Sequence, residues 1–260
     1  TLRCEPPPPA GPQEKNLKVT CLATSFGADD YVAVGYSTGA VALYDTSDLT
    51  EAQRGETVSC QPVKVIRQPE TKDVAVTSLA FTFCRQVSGE GAEAADQGRQ
   101  KSLRGTAKAA IGAMGMGKVC SFLACSANGL VCSHSISVVA PAVSFLRRAP
   151  VLSVSTKIRG RLESGILDCS AFVSQAGVLA AIVLQNSITV VQLPLSENQE
   201  NAQMATLGKV SKPASGGFGA VPCVCWRMVG PLPNALELLV SWDCIAQSVS
   251  VKPTTGSEIE

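Results

Sequence analysis

GAMGMGKV, residues 112–119, has the spacing of a phosphate-binding loop, G-x-x-x-x-G-K, but Val119 stands where such a loop needs Ser or Thr to hold magnesium. That loop also follows a strand and opens a helix, so that backbone amides converge on the phosphate. Here an apolar, strand-like run from Lys118 to Ser126 comes next. The tract is read as an insert that ends where a strand begins. Cys120, Cys125, Cys132 and His134 have the residue types of a zinc set, yet Cys120 and Cys125 lie five apart on one strand and face opposite ways, whereas structural zinc sites take two close ligand pairs. Cys223 and Cys225 lie two apart and share a face, which in a strand is ordinary packing.

His134 is the only histidine, so a Ser-His or Cys-His nucleophile would have to use it. It falls mid-strand, two residues after Cys132, and is expected to be a surface or half-buried strand residue. Asp29, Asp30, Asp45 and Asp48 read as corner residues that bond their own backbone. One tract has uneven charge: residues 145–164 carry Arg147, Arg148, Lys157, Arg159 and Arg161 against a lone Glu163. These five are the candidate partner-binding residues, a positive patch for an acidic protein surface or anionic headgroups. The chain is expected not to be an enzyme and to need no cofactor or metal.

The elements that would position such residues are strands. In YVAVGYSTGAVALYD, residues 31–45, side chains alternate on both sides of Thr38-Gly39, and Gly39 supplies the positive φ that a tight hairpin corner needs. The design recurs in residues 121–138 with Asn128-Gly129 at the corner, in 178–193 with Gln185-Asn186, and in 236–251 with Asp243-Cys244. An apolar strand precedes each hairpin: VTCLATSF, VAVTSLAFTF, GILDCSAFV and VPCVCWRMV. VKVIRQ, residues 63–68, supplies a fourth, edge strand after the first hairpin.

Four-stranded units repeating every 40–45 residues or so are the mark of a β-propeller. The corners here are spaced by about 90, 57 and 58 residues, the excess being taken up by Gly-, Ala-, Ser- and Gln-rich tracts. The expected fold is therefore all-β, a partial WD-type β-propeller of about four recognisable blades. Residues 1–18 form a Pro-rich approach segment, 19–252 the blades with disordered inserts at 85–118 and 196–217, and 253–260 a tail. A β-sandwich uses similar strands, but the apolar strand before every hairpin favours blades.

Composition narrows the function classes. The 22 Lys and Arg nearly balance 21 Asp and Glu, so no long-range field for nucleic acid is implied. No apolar run approaches the roughly 20 residues of a membrane helix. Eleven cysteines, mostly inside strand-like runs, point to small buried hydrophobes in a reducing, cytoplasmic compartment. The first residue is Thr1, and the chain is expected to be a segment of a longer protein with further blades outside it.

LACSANGLVCSHSISV, PVLSVSTKIRGRLESG, VLAAIVLQNSITVVQL, VPCVCWRMVG and ELLVSWDCIAQSVSV together resemble the amino-terminal propeller of the vacuolar protein sorting-associated protein 8 family, subunits of the CORVET endosomal tethering complex. The likeness is carried mainly by residues 119–252. It implies a non-catalytic scaffold in endosomal protein transport, cytoplasmic and peripheral on endosomal membranes through its partners, which are sister tethering subunits and an early-endosomal Rab GTPase. An α-solenoid and a RING finger would follow in such a protein. The alternative is a WD-type scaffold of another tether, coat or ciliary trafficking complex.

Overall fold

The computed structural model describes residues 2–9, 17–25, 31–46, 58–67, 69–85, 119–139, 151–174, 177–193, 203–214, 221–229, 236–242 and 245–252. Apart from one short 3-10 turn at Pro69–Thr71, the regular structure among them is β-strand. The first sheet is an antiparallel meander of β2 (Val19–Thr24), β3 (Tyr31–Tyr36), β4 (Val41–Asp45) and β6 (Lys64–Ile66). The second runs β7 (Val76–Arg85), β8 (Val119–Ser126), β9 (Leu130–Val139) and β10 (Val151–Arg161). The third runs β11 (Ile166–Ser174), β12 (Gly177–Leu184), β13 (Ser187–Leu193) and β14 (Ala205–Ser211), and the fourth β15 (Cys223–Met228), β16 (Leu236–Trp242) and β17 (Ile245–Val251). A small parallel pair joins β1 (Leu2–Cys4) to β5 (Val58–Cys60).

Within the four antiparallel sheets strands pair in chain order, only β5 being skipped to pair with β1, so each is a blade-like unit built from local contacts. The hairpin corners form as the residue types require: Gly39 and Gly129 have φ of 82° and 84°, a region where a Cβ is strained. A Cβ on Gly129 would also run into the Leu162 carbonyl. VKVIRQ does supply an edge strand, as β6.

The sheets stack face to face through strand alternation. Tyr31, Ala33, Val41 and Leu43 of the first sheet meet Leu79, Phe81, Phe122 and Ile136 of the second. From β8, the odd-numbered Leu123 and Cys125 point the other way and meet Cys169, Val178, Ala180 and Ile182 of the third sheet. Leu179, Ala181, Val183 and Ile188 then leave the opposite face of the third sheet to meet Leu236, Leu238, Val240 and Trp242 of the fourth. Middle strands such as β12 are covered on both faces, so GVLAAIVL is an unbroken apolar run rather than an alternating one. Each large buried side chain contributes about 1.5–3 kcal/mol.

Three expectations are corrected. Ala205–Ser211, inside the tract 196–217 read as a disordered insert, is β14, the outer strand of the third sheet. Its side chains are largely exposed, and pairing with β13 from Ser187↔Ser211 to Gln192↔Ala205 decides its structure. The Pro-rich approach segment contributes β1, whose end meets Tyr44: the Tyr44 hydroxyl donates to the Glu5 carbonyl at 2.6 Å. His134 is neither on the surface nor half-buried, as described below. Of the insert read at 85–118, Arg85 ends β7 and residues 86–118 lie outside the described residues, as do the tail 253–260 and the Asp243-Cys244 corner.

Candidate interaction surfaces

The two ends of the sheet stack differ. The hairpin corners 37–40, 127–129 and 185–186 and the links 69–75 and 162–165 lie at one end. There the backbone ties the links to the hairpin corners: Asp73 N–H donates to the Thr38 carbonyl, Ala127 to Ala75, Leu162 to Gly129 and Lys212 to Asn186, all at 2.9–3.1 Å. By the antiparallel topology, the remaining connections leave from the opposite end. The strand ends at Asp45, Arg85, Val139, Leu193 and Met228 lie there, and the longest stretch of sequence between strands follows Arg85.

The first strands of successive sheets are also hydrogen-bonded to one another. Cys21 Sγ on β2 donates to the Val76 carbonyl on β7 at 3.4 Å. Ser78 Oγ on β7 donates to Asp168 Oδ1 on β11 at 2.8 Å and accepts from the Cys169 amide at 3.0 Å. Trp226 Nε1 on β15 donates to the Ser170 carbonyl at 3.1 Å. Because these bonds cross between sheets, β2, β7, β11 and β15 run side by side along one line of the molecule. The exposed apolar residues Val19, Leu22, Leu167, Val173 and Met228 all belong to three of these strands.

The candidate basic residues separate. Arg147 and Arg148 lie outside the described residues. Lys157, Arg159 and Arg161 lie on β10, where a bulge between Ile158 and Gly160 interrupts the alternation. Arg159 is only 8% exposed, and its Nε donates to Ser133 Oγ at 2.7 Å, so it packs against β9 instead of facing solvent. Lys157 is half-buried and Arg161 exposed.

Sequence reasoning missed how far this charge extends. Lys64 and Arg67 fall on or directly after β6, Lys209 and Lys212 on or directly after β14, and Lys252 directly after β17. With the three on β10, the last strands of the first three sheets carry basic residues, β17 is followed by one, and none of the four contains Asp or Glu. The signal was present in the residue types but depended on recognising β14 as a strand.

The candidates for chemistry do not converge. His134 is 2% exposed between the first two sheets, its ring 4.9 Å from that of Phe122 and its Nδ1 3.0 Å from Thr156 Oγ1. Burial pulls its pKa down to about 4, so it is neutral at pH 7. A void of about 10 Å³ beside it, bordered by Thr71, Cys132 and Ser126, has room for no more than a water. Cys120 and Cys125 point into different interfaces, as the alternation of β8 requires. Hydrogen bonding to Cys169, then burial, raises the Cys125 thiol well above its ordinary pKa, and burial raises Cys132 to about 11. Among the described residues, no three His, Cys, Asp or Glu side chains are grouped as metal ligands. Lys118 lies outside the described residues.

A concavity of about 430 Å³ lies on the outward face of the fourth sheet, lined by Cys223, Cys225, Leu239, Ser241, Ala246 and Ser248. It is a sheet surface, with no convergent polar groups of the kind that fix a small ligand. Among the described residues, no helix is long and apolar enough to cross a membrane. No family model matches the chain, and no curated protein matches it.

Proposed function

We propose that the chain is a β-propeller module acting as a non-catalytic scaffold of an endosomal vesicle-tethering assembly, where it binds an early-endosomal Rab GTPase and sister subunits. The observation that carries this reading is the asymmetry of the sheet stack. At one end the links are tied to the hairpin corners by backbone hydrogen bonds, and the strands separated by the longest stretch of sequence, β7 and β8, have their ends at the other. A rigid frame with variable connections at one end is a binding platform. The resemblance over residues 119–252 supplies the biological setting, and the open outer face of the fourth sheet suits a ring with further blades. On this reading the protein is cytoplasmic and reaches the membrane through its partners.

The test is recovery of the purified chain on an immobilised early-endosomal Rab loaded with a non-hydrolysable GTP analogue or with GDP. Retention on the GTP form alone is expected. Equal recovery on both forms, or none on either, would move the scaffold to another tether, coat or ciliary trafficking complex.

A further inference from the structure

We propose that Cys4 and Cys60 are a modification site at which a small-molecule disulfide closes a Cys4–Cys60 bond, fastening β1 over the outer face of the first sheet. This stands on strand register and is independent of the tethering reading. β1 and β5 run parallel with Cys4 directly opposite Cys60. Such register partners project to one face and lie about 4.8 Å apart, inside the Cα separation of about 4.4–6.8 Å that a disulfide spans. Both thiols pack against the same cluster of the first sheet, which includes Val34, Tyr36 and Tyr44. Both are half-buried. Cys60 Sγ donates to the Asp45 carbonyl at 3.2 Å, which sets it beside the end of β4. Cys84 and Cys120 are register partners too, on β7 and β8, but Cys120 is 1% exposed, closed between the first and second sheets. A reagent in solution therefore reaches Cys4 and Cys60 more readily.

The bond acts on a weakly held element. A two-stranded pair is marginally stable alone, and the bonds that secure β1 come from residues distant in sequence. The Glu5 amide donates to the Cys60 carbonyl at 3.0 Å, the Tyr44 hydroxyl to the Glu5 carbonyl, and Gln61 Nε2 to Glu5 Oε2 at 2.8 Å. All of them meet at the level of Cys4 and Cys60. A covalent bond at that level keeps the cover over Tyr36 and Tyr44, whereas the dithiol form lets it open by local fraying.

Exchange with oxidised glutathione supplies the oxidant. One protein thiolate attacks a glutathione sulfur, breaking that S–S bond, forming a mixed disulfide and releasing one glutathione thiolate. The second protein thiolate attacks the protein sulfur of the mixed disulfide, forming the Cys4–Cys60 bond and releasing the other glutathione thiolate. The two protons shed by the protein thiols end on the two glutathiones, so the protein pair loses two electrons and glutathione disulfide gains them. Burial, then the neighbouring Cys60, raises the Cys4 thiol above its ordinary pKa, so the exchange quickens as the pH rises above neutrality. In a reducing compartment the pair rests as two thiols, and such bonds form transiently.

The experiment incubates the full chain with mixtures of reduced and oxidised glutathione, blocks remaining thiols with N-ethylmaleimide, and digests with trypsin for mass spectrometry. Trypsin separates the two cysteines onto peptides 4–15 and 55–64, so their disulfide reads as these two peptides joined. The joined pair is expected in the native chain at a yield at least about tenfold above that in urea at the same glutathione ratio, and in greater yield at pH 8.5 than at pH 7. Cys60→Ser should instead accumulate Cys4 carrying glutathione, which the parent resolves. Amide hydrogen exchange of residues 2–5 should slow by about tenfold or more in the oxidised parent and stay unchanged in Cys4→Ser under the same treatment. Equal yields in native and urea-treated chain, or a parent that keeps glutathione on Cys4 without joining, would overturn the pairing. Joined peptides with unchanged amide exchange would overturn the fastening of β1.

Discussion

His134 shows how a single side chain acquires its properties from what covers it. Alternation along β9 assigns it a face, and the first sheet closes that face over it, leaving the ring against Phe122 and bonded to Thr156. Its folded pKa of about 4 lies below the ordinary 6.5, so between those values the unfolded chain binds the extra proton. Stability therefore rises with pH through this window and is lost as pH falls below about 6.5, down to pH 4, by up to about 3 kcal/mol from this group. His134→Phe keeps an aromatic ring in the space and removes the titration. The melting temperature of the variant, measured from pH 7 to 4.5, is expected to fall less steeply than that of the parent. Parallel curves would show that burial of this imidazole does not set the slope, and with one histidine in the chain no other imidazole confuses the reading.

At the scale of the strand, what can be read from sequence depends on how many faces are covered. The hairpins around Gly39 and Gly129 were legible because both arms alternate and the corner demands a residue that tolerates positive φ. β14 was not, because an outer strand with exposed side chains has the composition of a loop and only its partner β13 gives it structure. β1 was hidden in the same way by the prolines that follow it. The basic patch was legible as residue types, but the burial of Arg159 was not, since a bulge turned it onto Ser133. Adjacent residues of β16 test this face logic. Leu238 is fully buried against the third sheet, while Leu239 borders the open face. Leu238→Ala is expected to cost about 2–5 kcal/mol in urea unfolding and Leu239→Ala under about 1 kcal/mol. Equal costs would mean that both faces of the fourth sheet are covered.

Across the whole molecule, order in sequence becomes order in space: each sheet packs on the one before it, and the cross-sheet bonds from Cys21, Ser78 and Trp226 keep the first strands in line. The cysteines report this arrangement because they are spread along it. Cys120 lies between the first and second sheets, Cys125 and Cys169 between the second and third, and Cys223 and Cys225 on the outward face of the fourth. A thiol reacts as its thiolate and only where a reagent can reach it. Alkylation of the native chain with iodoacetamide, followed by peptide mass spectrometry, is therefore expected to modify Cys223 and Cys225 within minutes. Cys120, Cys125, Cys132 and Cys169 should stay unmodified until denaturant is added. Protection of Cys223 and Cys225 in the purified chain would mean that something already covers the fourth sheet, and their exposure followed by protection on adding a binding partner would locate that partner on this face. Early modification of Cys125 or Cys169 would contradict the stacking order itself, since both thiols can be reached only by parting the second sheet from the third.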